Sequence, residues 1–360
     1  MQKLTIATLF VLASSLICGA TALAANKTFT GPGNFSDATK WSGNTLPAAS
    51  DNLRINGTCT FDNTANNLTY GSLDVGRNSS GSLNWPAGGT NTLNVTAVSS
   101  TIAGSAIDMT NGGTLRIRTS WTTTNQTFTP GAGTIIFAST ANTTMPAAIT
   151  TYNNLTINPS AGITVRLGAA TIVNGDLTIT TGTLNTSGSN FALTLNGSFT
   201  NNATFTANGS TVTIGGTSAT PNITGFSTTG ELSFVRTVST ATLTGNVTAA
   251  SLTMNGSGGT LNLGASLSHT INGSVTLTAG TLNGNSSTLS LTGNWTGSAT
   301  FTASTGTVNF SGSGAQTITN TATTFNNLTK SGTGTGTMGA SVIVNGTLNI
   351  SGGTFSTSTS

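Results

Sequence analysis

The sequence predicts an all-β chain folded as a parallel β-helix, or β-solenoid, with an N-terminal cap. Three observations predict it: a segment written three times, strands with apolar residues at every second position, and repeat spacings that differ by about one coil. Residues 120–137 (SWTTTNQTFTPGAGTIIF), 198–214 (SFTNNATFTANGSTVTI) and 294–310 (NWTGSATFTASTGTVNF) each hold an aromatic residue, then Thr-Phe-Thr, then an apolar residue nine positions beyond that phenylalanine. One such unit cannot bury its own apolar face, so copies must stack into a continuous core. The shared offset from Phe137, Ile214 and Phe310 predicts that Phe128, Phe205 and Phe301 point into the stack, from about residue 50 to the C-terminus.

The strands come next. Segments such as 176–180 (DLTIT), 210–214 (STVTI), 274–278 (SVTLT) and 347–350 (TLNI) alternate apolar and polar residues and are rich in Thr, Val and Ile. That is the period of a half-buried strand, and no helical period with caps competes with it. Asn-Gly recurs at Asn174, Asn196, Asn208, Asn272 and Asn345, a hairpin signal that argues for tandem antiparallel sandwiches. Spacing decides against them. The landmark aromatics Trp121, Phe199 and Trp295 lie 78 and 96 residues apart, and Gly175, Gly273 and Gly346 lie 98 and 73 apart. A closed sandwich cannot lose a quarter of its residues, whereas a solenoid loses one coil. The Asn-Gly pairs then become corners, expected to use left-handed backbone.

The organisation reads as residues 1–24, a signal peptide; 25–111, an N-terminal cap and first coils; and 112–360, a repetitive solenoid. A basic start at Lys3, an apolar run to about Ile17 and the small-x-small pattern Ala22-Leu23-Ala24 predict secretory cleavage after Ala24. Cys18 as a lipid-modified residue is a weaker alternative, because Ile17 stands where a small residue is wanted. The apolar run is short for a membrane span, so no transmembrane span is expected. Tyr152–Thr156 returns as Phe325–Thr329 and Val173–Leu177 as Val344–Leu348, and the final GGTFSTSTS aligns with the middle of a unit at 181–189, which predicts a longer parent.

Charged residues are 5% of the chain, with Thr, Ser, Asn and Gly in their place. A formal charge of +3, falling to +2 without Lys3, reflects scarce carboxylates, and with no Lys/Arg cluster nucleic acid is not an expected partner. Only Cys59 remains after cleavage, read as a buried small hydrophobe. The seven carboxylates are Asp37, Asp51, Asp62, Asp74, Asp108, Asp176 and Glu231. Of these, Asp51, Asp62 and Asp74 with Arg54 are the set spaced loosely like successive coils, where stacking could gather an acid/base or cation site; the competing readings are a polar network of the cap and turn-forming aspartates. His269, the only histidine, reads as a solvent-facing strand residue rather than part of a triad. Arg116 and Arg118 share one strand face, a solvated surface in preference to an acidic-glycan contact; Trp85, Trp121 and Trp295 are candidates to stack on sugars, but Trp121 and Trp295 occupy the position of Phe199 and so read as structural wedges of the repeat. No catalytic, cofactor-binding or metal residue is assigned, and no G-G-x-G-x-D calcium repeat is present.

Residues Gly33–Ser42 (GNFSDATKWS), then Leu46-Pro47 and Asp51–Ile55 (DNLRI), resemble the opening of large bacterial secreted β-solenoid surface proteins, those related to autotransporter passengers and filamentous-haemagglutinin-like adhesins. The later words NNLTI, NGDLTI and ANGSTVTI are similar to their repeats. The resemblance implies a non-catalytic extracellular structural or adhesive rod at the cell surface, with surface glycans, other cell-surface proteins or its own copies as partners. At about 20 residues and about 4.8 Å per coil the rod would be about 80 Å long. The alternative is a glycan- or ice-binding solenoid, suggested by Thr178–Thr180, Thr204–Thr206, Thr211–Thr213, Thr276–Thr278 and Thr300–Thr302; ice binding requires these pairs on one flat face in successive coils. A polysaccharide-active β-helix enzyme is the third and least supported class.

Overall fold

The computed structural model describes residues 24–63, 68–217, 220–321 and 323–357. The predicted signal peptide therefore lies outside the described residues, apart from Ala24. Short strands wind into a parallel β-solenoid of about 15 turns, equivalent to about 70 Å of stack at ~4.8 Å per turn. Among the described residues every pair of strands is parallel, from Asn26–Phe29 on Asn52–Ile55 to Thr335–Met338 on Thr354–Thr357. Parallel stacking thus begins at Asn26, a coil earlier than predicted. Register partners lie between 19 residues apart (Leu282 and Phe301) and 26 apart (Asn26 and Asn52).

Three faces alternate along the chain. The first carries Thr134–Phe137, Asn154–Ile157, Leu177–Ile179 and Phe199–Asn201 in successive coils. The second carries Thr164–Arg166, Thr183–Asn185 and Thr204–Thr206. The third carries Thr171–Val173, Leu193–Leu195, Val212–Ile214 and Glu231–Phe234. Alternation then has a simple result, because inward residues of one coil stand on inward residues of the next. Leu115, Ile135, Leu155, Leu177, Phe199, Ile223 and Leu243 form one such column, and all are buried. At the N-terminal end Trp41 lies 5.2 Å from Phe29 and 4.9 Å from Phe35, its indole donating to the Phe35 carbonyl.

The Asn-Gly corners work differently from the expectation. Of the five asparagines only Asn208 is left-handed, with φ of 49°. The glycines are required by closeness instead: a Cβ on Gly175 would meet Asn154 Oδ1 at 2.3 Å, and one on Gly197 would meet the Gly175 carbonyl at 2.3 Å. Beside these glycines runs a ladder of side-chain acceptors. Asn154 Oδ1 accepts the Asp176 amide at 2.9 Å, and Asp176 Oδ1 accepts the Ser198 amide at 2.8 Å. Asn246, Asn294 and Asn327 do the same for Ser268, Thr317 and Thr347. The corner residue thereby supplies an inter-coil bond where the strand ladder is interrupted.

Phe128, Phe205 and Phe301 are also placed differently. Each packs edge-on against the buried aromatic before it, at 5.2 Å from Trp121, 5.4 Å from Phe199 and 4.9 Å from Trp295. They remain half-buried, whereas Phe137, Ile214 and Phe310 are fully enclosed. The cause is strand pairing. Among the described residues, Gln126–Thr129 pairs only with Ser105–Asp108, Thr204–Thr206 only with Thr183–Asn185, and Thr300–Thr302 only with Val275–Asn283. The next coil meets each of them through a ring, Tyr152 at 6.0 Å, Phe226 at 6.3 Å and Phe325 at 5.7 Å, instead of a hydrogen-bond ladder.

The two ring environments set an order of stability costs. Phe199→Ala, which empties a buried site, is expected to cost about 3–5 kcal/mol, and Phe205→Ala about half of that. Parallel urea titrations of the two variants check the order; equal losses would contradict the difference in packing.

Candidate functional site

The acidic set does not converge. Asp51 Oδ1 accepts the Ala25 amide at 2.8 Å and its Oδ2 the Ala48 amide at 2.9 Å. Asp62 binds the amide and hydroxyl of Ser36. Asp74 is paired with Arg77 at 3.1 Å, while Arg54 is its register partner in the preceding coil. Among the described residues no group of three His, Cys, Asp or Glu side chains could hold a metal ion. Asp37 and Asp108 each bind the amide and hydroxyl two residues ahead, Thr39 and Thr110. Those bonds from Thr39 hold the Asp37 carboxyl below its ordinary value. Six of the seven carboxylates are thus occupied locally, and Glu231 stands on a strand with Ser251 as its register partner.

His269 corrects an expectation. It is 2% exposed and stands in an inward column with Leu289. The Val247 amide donates to Nδ1 at 3.1 Å, which leaves the proton on Nε2 to donate to the Leu263 carbonyl at 2.8 Å. The alternation held the signal, since Ile271 two residues on also points inward. The same logic buries Arg236 after Phe234 and Lys330 after Leu328. Lys330 Nζ donates to the carbonyls of Phe310, Gly312 and Gly332, and Arg236 Nη1 to those of Asn196 and Gly215. Burial lowers the pKa of both cations and of His269. Cys59 is buried as expected, and desolvation pushes its thiol far up. Trp85, Trp121 and Trp295 are buried wedges, and Arg116 and Arg118 lie half-buried on one strand flank.

The threonine pairs fall on all three faces. Thr178 lies on the first, Thr204 on the second, and Thr211–Thr213 and Thr276–Thr278 share the third but stand three coils apart. Scattered pairs are ordinary strand decoration. What the structure builds instead is a column of single hydroxyls, Thr194, Thr213, Ser233, Thr253, Thr276 and Thr296, one per coil.

Clefts open where the hydrogen-bond ladders break. One of about 340 Å³ is lined by Phe205, Thr206, Asn208, Ser227, Thr229 and Asn272 among others. One of about 260 Å³ is lined by Phe301, Thr300, Ser298, Asn320, Thr321 and Thr324 among others. A third, of about 150 Å³, lies beside Phe128, Ala148, Ile149, Thr150 and Thr151. Each holds the phenylalanine of one written repeat. The repeat was legible in the sequence, but the clefts were not, because they arise from unpaired strand edges between coils.

No family model matches the chain, and neither the curated proteins nor the solved structures contain a match to it.

Two measurements follow from the buried groups. The unfolded chain takes up a proton on His269 as pH falls through about 6.5, while the folded chain resists it, so stability present above that pH is lost below it. The melting temperature should fall from about pH 7 to about pH 5, and His269→Gln should flatten that profile because no other side chain titrates there. Cys59 should be silent to a thiol reagent until the chain is denatured; rapid labelling of the native protein would contradict its burial.

Proposed function

We propose that the chain is a secreted, non-catalytic, rod-like segment of a bacterial cell-surface or extracellular protein, serving structure and adhesion. The observation that carries this reading is the uninterrupted stack of about 15 turns whose outer strands present Thr, Ser and Asn in place of charge. Such a surface is hydrated without ion pairs, and a stack grows in length without needing a larger core. The engagement of six carboxylates in turns, corners and one ion pair supports a non-catalytic role. Among the described residues no helix is long and apolar enough to cross a membrane.

Secretion gains support from the first coil. Its first strand begins at Asn26, and the Ala25 nitrogen bound by Asp51 becomes an α-ammonium if cleavage follows Ala24. A neutral amide contact then becomes a charge-assisted one, which is stronger. Asp51→Asn should lower the melting temperature of the processed chain more than that of an unprocessed one.

The test is direct. Residues 25–360, purified after secretion, should scatter as a rod about 70 Å long, release no reducing or unsaturated ends from neutral or acidic polysaccharides, and retain cells or extracellular matrix when coated on beads. A compact particle, sustained turnover or inert beads would each count against the corresponding part of the reading.

A further inference from the structure

We propose that the clefts at Phe128, Phe205 and Phe301 are binding sites for neutral glycans of graded strength, one per written repeat and on different faces of the rod. This deepens the adhesive reading by naming its ligand class. Sugar rings offer weakly positive C–H faces and a rim of hydroxyls. A half-exposed phenylalanine attracts the first through the negative face of its ring, and hydroxyl and amide side chains match the second. Both are present in each of the two larger clefts. The side chains of Thr206, Ser227 and Asn272 around Phe205, and of Ser298, Thr300, Thr321 and Thr324 around Phe301, make no hydrogen bond among the described residues. Asn320, 2% exposed and lining the Phe301 cleft, has an Oδ1 with no partner, an unusual state for a buried amide oxygen. No Asp, Glu, Lys or Arg is among the residues lining these clefts. Volumes of about 340 and 260 Å³ are at or below the small end of ligand pockets, which suits one or two sugar units, and the 150 Å³ cleft is the weakest of the three.

The distribution of the clefts determines how a glycan is held. Phe205 belongs to the second-face ladder through Leu184, and Phe301 to the first-face ladder through Leu282. Phe128 lies beneath Tyr152, whose strand begins the third-face ladder. One straight glycan cannot follow all three. The rod is therefore built to join separate glycan strands, and weak single sites gain strength when several are engaged at once.

Titration of the folded chain, residues 25–360, with cellohexaose and with N-acetylchitohexaose tests this by saturation-transfer NMR and calorimetry. Saturable binding of at least one of them, unaffected by salt and by an acidic glycan competitor, is expected. Phe205→Ala should remove one site's share of the heat, with a loss of about tenfold in affinity at that cleft. Asn272→Ala with Thr206→Val, at an exposed and a half-buried rim position whose side chains make no hydrogen bond in the stack, should weaken the same site and so controls for unfolding. Absence of binding by both hexasaccharides, or binding untouched by both variants, would overturn the inference even if coated beads still retain cells, in which case the rod adheres by another surface. Preferential binding of an extended neutral peptide that survives Phe205→Ala would also overturn it, because that result would place a strand on the open Thr204–Thr206 edge.

Discussion

Coil-to-coil register is the constraint on which everything else in this protein depends. In a parallel stack each residue stands about 4.8 Å from its counterpart above and below, so a residue's environment is set by residues some 20 positions away. Like side chains stack well when they are apolar or hydroxylated, and badly when they carry the same charge. Register partners here obey that rule: the charged pair among them joins opposite signs, Arg54 and Asp74, while Arg116 lies between Asn94 and Ile136 and Arg166 between Thr144 and Asn185. The scarcity of charge is a condition of stacking as well as a property of the surface.

The same constraint explains the glycine-rich corners. Chains that turn together at one corner in every coil bring backbone against backbone, and a single Cβ there meets a neighbouring carbonyl. Asparagine, serine or aspartate beside the glycine restores the inter-coil bond that the turn interrupts. Asp176 is informative, since its carboxylate occupies the acceptor role that Asn154 fills one coil below. A lone acid in such a position is a structural acceptor first.

Polar residues inside the stack follow from the same geometry. His269, Arg236 and Lys330 occupy inward positions, and each bonds main-chain groups near a corner instead of an opposite charge. Corners leave carbonyls without strand partners, and a long cation reaching along the column supplies their donor. The written repeat interacts with this scaffold in a second way. Its copies advance by a whole number of coils less one face, so the Thr-Phe-Thr element moves from one face to the next, and with it the break in the ladder.

The all-β class, the parallel stack, the burial of Cys59 and the landmark wedges Trp121, Phe199 and Trp295 were all legible in the sequence, because alternation and repeat spacing are local properties of the text. The inward positions of His269 and Lys330 were legible too, from Ile271 and Leu328 two residues away, although their polarity argued the other way. Three things were decided only by tertiary structure. Asp51, Asp62 and Asp74 went to separate amides and to Arg77 because the coils set each beside a donor of its own. The threonine pairs were dispersed because face assignment depends on the accumulated length of every intervening coil. The Thr-Phe-Thr phenylalanines stayed half-open because strand pairing beyond them fails, and no single repeat contains the coil that would have covered it.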